Sequence, residues 1–171
     1  PARSRVTAYI SVGNWTQDNP LIPFTVNSAL PSIPLDRATS NTQARVTSTN
    51  FSFNSRPTSD VSFTARYRSY DFNNRTPVFN VTRTVTYDTT VATLAEGSSP
   101  YSLNRKTFDA EVSLTPVRYS AFRAGYTHEN VGQTFRSFDT TNEDIVRASV
   151  DASGVSWLTA RLVYEHGKRS G

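Results

Sequence analysis

Along most of this chain, apolar and polar residues alternate one by one. In Val61-Ser62-Phe63-Thr64-Ala65-Arg66-Tyr67-Arg68, the odd positions are apolar and the even positions are polar or cationic. A repeat of two places successive side chains on opposite faces of a pleated strand, so each such stretch predicts a β-strand with two different faces. Seven stretches qualify: 4–13, 42–54, 61–71, 105–115, 119–128, 143–152 and 155–166. No segment has the period of an amphipathic helix.

The gaps between these strands alternate as well. Those at 55–60, 116–118 and 153–154 are short and carry turn formers such as Pro57, Asp60, Pro116 and Gly154, as hairpins require. Those at 14–41, 72–104 and 129–142 are long and rich in Asn, Pro, Ser and Thr. Because the long gaps fall on every second connection, they all leave from one end of the sheet. Short turns at one end and long loops at the other is the layout of an outer-membrane β-barrel, with short periplasmic turns and long extracellular loops. Strands of about ten residues, tilted by about 45°, also match a bilayer core.

The predicted fold is therefore all-β, an antiparallel up-and-down transmembrane barrel segment occupying 1–171 as part of a single domain. Seven strands are fewer than the smallest complete barrel and odd in number. The expectation is an internal piece of a larger wall, whose first and last strands pair with further sequence, since open edges are not tolerated in lipid.

One face collects Val6, Ala8, Ile10 and Val12; Val61, Phe63, Ala65 and Tyr67; and Phe108, Ala110, Val112 and Leu114. It continues through Phe122, Ala124 and Tyr126, then Val146, Ala148, Val150 and Ala152, and finally Leu158, Ala160, Leu162 and Tyr164. Aromatic residues fall toward its two ends, with Phe53, Phe63 and Phe122 near the short turns and Phe72, Phe108, Tyr126 and Tyr164 near the long loops. Two girdles around an aliphatic band suit a lipid-facing surface. The strand 42–54 is the weakest member, with Thr47 and Thr49 on that face.

Composition narrows the classes. Of 171 residues, 36% are hydrophobic, low for a globular domain, while 12% are aromatic, too many for disorder. With no cysteine, the chain can form no disulfide, thiolate metal site or covalent haem attachment of its own. The net charge of +4 is spread singly among acids rather than gathered in a patch, which argues against nucleic acid as a partner. Nearly all the cations are arginine, with lysine only at Lys106 and Lys168.

No catalytic constellation emerges, and an enzyme is not expected. His128 and His166 each adjoin a glutamate, Glu129 and Glu165, but neighbours on a strand point to opposite faces and cannot converge on one ion. The polar face holds Arg66, Arg68, Asp109, Glu111, Arg123, Arg147, Asp151, Arg161 and Glu165. In a barrel these face the lumen, where they solvate the interior or meet a solute or an inserted protein, and Arg–carboxylate pairs across strands would stiffen the wall. The loop 72–104, with Tyr87, Asp88 and Tyr101 among small polar residues, is the candidate external contact surface.

The stretch Arg66-Tyr67-Arg68-Ser69-Tyr70-Asp71-Phe72-Asn73-Asn74-Arg75-Thr76-Pro77, with Val85-Thr86-Tyr87-Asp88 after it, resembles the MtrB/PioB barrels associated with multihaem cytochromes. Ala160-Arg161-Leu162-Val163-Tyr164-Glu165-His166-Gly167 is similar to a strand end of that family. The resemblance covers about 60–170 and rests on strand and loop signatures. It implies an outer-membrane sheath whose lumen holds a multihaem c-type cytochrome, with lipid outside and a second, extracellular cytochrome as a further candidate partner. The haems would belong to the partner and none to this chain. That family often has a cysteine pair near its amino terminus, which this chain lacks. Two alternatives stand beside the sheath: a porin or transporter-type solute channel, and a secreted β-sandwich for adhesion or carbohydrate binding.

Overall fold

In the computed structural model, which describes residues 3–171 apart from Asp88 and Ser156, seven strands form one antiparallel sheet. They are β1 (Arg3–Gln17), β2 (Thr42–Arg56), β3 (Val61–Asn74), β6 (Leu103–Leu114), β7 (Ser120–Gln133), β8 (Thr140–Val155) and β9 (Leu158–Ser170), each paired with the next in that order. Between β3 and β6 a separate hairpin, β4 (Asn80–Thr86) and β5 (Thr90–Gly97), stands outside the main sheet. The order is up-and-down throughout, as the parity of the gaps predicts.

The seven main strands coincide with the seven predicted ones, but most are longer, chiefly toward the long loops. β7 runs on to Gln133 and β8 begins at Thr140, so the expected long loop at 129–142 is a turn of residues 134–139. These extensions are polar, as in Thr140-Thr141-Asn142-Glu143, and have no apolar alternation to mark them. Backbone pairing with a neighbour holds them extended. The loop 72–104 likewise contains structure: its Thr- and Val-rich middle forms β4 and β5, whose pairing shifts between Val81 and Arg83.

The short turns are tied to one another. Thr115 N–H donates to Asp60 O at 2.7 Å. The turn expected at 153–154 lies instead within β8, where the ladder to β9 shifts between Ala152 and Val155, and Ser153 N–H donates to Tyr119 O of the neighbouring turn at 2.9 Å. At the other end, the loop 18–41 is zipped at its base by Leu21 N–H to Ala38 O (3.0 Å) and Ser40 N–H to Asn19 O (2.8 Å). Its tip is fastened to β4, where Thr82 donates to Asp36 from its amide (2.8 Å) and from its hydroxyl. Arg37 lies over the Phe79 ring, 4.9 Å from its centroid.

The sheet has almost no core of the ordinary kind. Among the described residues Ala44 is the only buried apolar residue and Thr107 the only buried polar one. Ile10 is 70% exposed and Leu162 72%, although both belong to the apolar face. Among the described residues the hairpin β4–β5 does not pack on the main sheet, and no second sheet covers either face of it. A β-sandwich would bury that apolar face against another sheet, so the sandwich alternative is set aside. An apolar face this large and bare is what a lipid-exposed wall presents.

Register fixes which residues share a face. Phe51, Tyr67 and Phe108 are consecutive cross-strand partners, as are Ala124, Ala148 and Tyr164, so the predicted apolar face is one continuous surface. Near the turns the rings of Phe53 and Phe63 pack at 5.9 Å. Phe72 is the exception. It pairs with Val46 and Leu103 on the opposite face, because it stands at an even position of β3 whereas Phe63 and Tyr67 stand at odd ones. Its place in the outer aromatic girdle is therefore withdrawn.

Candidate functional site

The face opposite the apolar one is where the predicted charged residues meet. It is formed by even positions of β2 and β3 and by odd positions of β1, β6, β7, β8 and β9. All nine predicted residues lie on it. Strand geometry alone determines this, because one residue's face sets that of every second residue after it.

Seven of the nine are joined in two networks. In the first, Arg68 on β3 donates to Asp109 on β6 at 2.9 Å. Asp109 also accepts from the Thr127 hydroxyl on β7 at 3.0 Å. Arg147 on β8 donates to that hydroxyl oxygen at 3.4 Å and, from Nε, to Glu165 on β9 at 2.6 Å. One chain of hydrogen bonds thus crosses five adjacent strands. In the second network, Asp151 on β8 lies between Arg123 on β7 and Arg161 on β9, and Arg161 Nε reaches it at 2.5 Å. The side chain of Asp151 is only 18% exposed, so two guanidinium groups surround a partly shielded carboxylate.

Arg66 and Glu111 are different. Neither makes a hydrogen bond or ion pair with another described side chain, and both border a concavity of about 480 Å³ together with Arg68, Arg123, Arg147 and Arg161. Its floor is Gly125, which stands between Glu111 and Arg147 in register and puts no side chain into the space.

Several members of this face were missed by the sequence reading. Arg105 donates to Glu129 from Nε (2.9 Å) and Nη2 (2.6 Å), and Thr107 lies 3.4 Å from the same carboxylate. Glu129 has the parity of Arg123, but it lay one residue beyond the strand end assigned from apolar alternation. At the short-turn end, Arg3 is directly opposite Arg56, with Arg5 on the same face. The alternation would have found Arg3 and Arg5, since Arg5 adjoins the first apolar position, Val6, and Arg3 has the same parity as Arg5.

The histidines divide as their neighbours require. His128 and Glu129 face opposite sides, and His128 Nδ1 meets Asp144 at 2.7 Å on the apolar side. Among the described residues no group of three or more His, Cys, Asp or Glu could hold a metal ion.

At the long-loop end, Tyr87 is 92% exposed at the tip of the β4–β5 hairpin, in the left-handed conformation (φ 52°). Tyr101 is half-buried instead: its hydroxyl lies 3.3 Å from Gln133 Oε1 and Arg136 lies over its ring at 5.5 Å. Asp88, expected beside Tyr87, lies outside the described residues. In the loop 18–41, hydrogen bonds from the Thr39 side chain and the Asn41 amide hold the Asp18 carboxyl below its ordinary range. Those from the Thr82 side chain and amide do the same for Asp36.

Two comparisons bear on this wall. The family described as "Putative outer membrane beta-barrel porin, MtrB/PioB" matches residues 1–171. A search of curated proteins gives no match to the chain.

Proposed function

Since the chain belongs to the MtrB/PioB family of outer-membrane β-barrel porins, we propose that it forms part of a barrel wall sheathing a multihaem c-type cytochrome for electron transfer across the outer membrane. The haems are the partner's, and this chain supplies no ligand to them. The wall separates the haem chain from lipid with one face and contacts the partner with the other.

The observation that carries this reading is the self-pairing of the luminal charges. Pores that select ions expose rings of one sign. Here Arg68, Arg123, Arg147 and Arg161 are matched by Asp109, Asp151 and Glu165 within the wall. Pairing removes a single-sign ring around the concavity, and the paired guanidinium groups are held rigid. That suits contact with a large, folded, polar surface better than selective passage of a solute. The free edges of β1 and β9 would be closed by further strands, because unpaired backbone groups are costly in a bilayer. Arg66 and Glu111 at the concavity, with Arg3, Arg5 and Arg56 nearer the short turns, are luminal charges available to engage the partner, and the exposed tip at Tyr87 is a candidate contact for an extracellular cytochrome.

A solute channel is the second reading, favoured by the family's description as a porin. The test is purification of the whole barrel from its own outer membrane in mild detergent. Haem-stained protein should co-elute with it, and the barrel in a planar bilayer should conduct only after that protein is stripped away. A barrel that purifies without any haem protein and conducts steadily as isolated overturns the sheath and leaves the channel.

A further inference from the structure

The outward face changes character along one diagonal of the sheet. On β6 to β9 its outward positions are apolar from the short turns up to Phe108, Tyr126, Val146 and Tyr164. The next outward position on each strand, toward the long loops, is Lys106, His128, Asp144 or His166. In register His128 and Asp144 are opposite one another, Lys106 stands one row nearer the long loops and His166 one row nearer the short turns, so four neighbouring strands become titratable along a diagonal. One outward position further along each strand come Asn104, Asn130, Asn142 and Lys168, the last directly opposite Asp144. The remaining charged groups of the outward face, Arg45 and Asp71, lie at the same end, and its short-turn half has none. Both lysines of the chain are therefore in this belt.

The acids of the belt are already engaged within the sheet. Asp71 accepts from Asn104 Nδ2 at 3.0 Å. Asp144 accepts from the Tyr126 hydroxyl at 2.5 Å and meets His128 Nδ1 at 2.7 Å. Lys106 and Lys168, by contrast, form no hydrogen bond or ion pair with any described residue, and both are exposed. Lys106 has no acid opposite it, Lys168 stands across from Asp144, and both ammonium groups lie just past the aromatic residues of the lipid side. From there the long stems can lie along the apolar surface and carry the charge up to the headgroups. The long-loop end is the extracellular end of an outer-membrane barrel, so those headgroups belong to the outer leaflet.

We infer that Lys106 and Lys168 form a binding site for a phosphorylated lipid of the outer leaflet, one bearing a phosphate at each end of its headgroup. They stand on β6 and β9, three strand spacings apart across the sheet and offset by two residues along it, about 16 Å in all. That is too far for one phosphate to bridge and suitable for two. Asp144 holds His128 between them, and Asn130 and Asn142, hydrogen-bonded to each other at 2.7 Å, offer amides to the sugar hydroxyls of such a headgroup.

The test uses the whole barrel in detergent, with native mass spectrometry counting bound lipid after incubation with bis-phosphorylated lipid A, mono-phosphorylated lipid A or phosphatidylcholine. The wild type should retain the bis-phosphorylated lipid over phosphatidylcholine by about fivefold or more, with the mono-phosphorylated form between them. The double variant Lys106→Gln/Lys168→Gln should lose that preference, while Lys106→Arg/Lys168→Arg keeps it. The luminal variant Arg66→Gln should bind as wild type. Heat-modifiable migration in gels verifies that each barrel is folded, and Lys168→Gln alone replaces the double variant if the latter does not insert. Equal retention of the three lipids by wild type, or an unchanged preference in the Gln variants, overturns the proposal. Because no haem protein enters the measurement, failure here leaves the sheath reading untouched.

Discussion

Arg105 on β6 and Glu129 on β7 make a two-donor contact on the charged face, with Nε at 2.9 Å and Nη2 at 2.6 Å from one carboxylate oxygen. The pair is diagonal across the ladder, since Glu129 is directly opposite Thr107 and Arg105 opposite Val131. Arg105 is largely exposed and Glu129 largely covered, so the pair is partly screened. A double-mutant cycle with Arg105→Gln and Glu129→Gln should give a coupling of about 0.5–1 kcal/mol, measured by denaturant unfolding of the barrel from lipid vesicles. A coupling indistinguishable from zero would show that the contact does not stiffen the wall.

The shared carboxylate of Asp151 should matter in a different way. Asp151→Asn leaves Arg123 and Arg161 without their common counter-charge, and both guanidinium groups border the luminal concavity. The lumen wall then carries an uncompensated positive patch. Barrels bearing Asp151→Asn, stripped of any partner, should shift their reversal potential toward anion selectivity by roughly severalfold in permeability ratio, whereas Glu165→Gln, which frees only Arg147, should shift it less. An unchanged reversal potential would place these arginines away from the conducting path.

Much of this wall was legible beforehand, and the failures share a cause. Alternation identifies a strand only while one face is apolar. It therefore found all seven main strands and the face of every predicted luminal residue, including the Arg66 and Arg68 parity on which the others depend. It stopped at His128 because Glu129, Asn130 and Gly132 carry no apolar partner positions, and this cost the Arg105–Glu129 pair. It placed Phe72 by ring chemistry rather than by counting from Tyr67, and the ladder to Val46 and Leu103 reversed that. The lattice itself was invisible in the sequence. Which acid each arginine takes depends on register, and Arg68 bonds Asp109 although Thr107 is its direct partner.

The tie between the loop 18–41 and the β4–β5 hairpin should respond to pH. The Asp36 carboxyl is held below its ordinary range by the Thr82 hydroxyl and amide. A carboxylate whose pKa is lower when docked stabilises the docked state above its free pKa of about 4. That contribution is lost as the pH falls through the lower, docked value. Limited proteolysis between 20 and 35 should therefore be slow and constant from neutral pH down to about 5 and accelerate below about 4. Asp36→Asn should show the fast cleavage already at neutral pH, and a pH-independent rate in the wild type would mean the tie does not hold the loop.

The assignment of the two faces makes the most demanding prediction, because adjacent residues on one strand should behave oppositely. Ala148 is in the middle of the apolar row, between Ala124 and Tyr164, and Ser149 faces the lumen between Arg123 and Val163. An arginine at the lipid-facing position near the bilayer centre should cost about 2–4 kcal/mol, and one in the lumen far less. Folding into phospholipid vesicles should therefore be strongly weakened by Ala148→Arg and nearly unaffected by Ser149→Arg, and a lysine at either position should follow the same division. The contrast does not depend on the total strand number or on the partner. It requires only that β8 lies in a bilayer with its even positions outward. Equal penalties at the two positions would mean that both faces of this sheet meet the same medium, which no membrane wall with a polar interior allows.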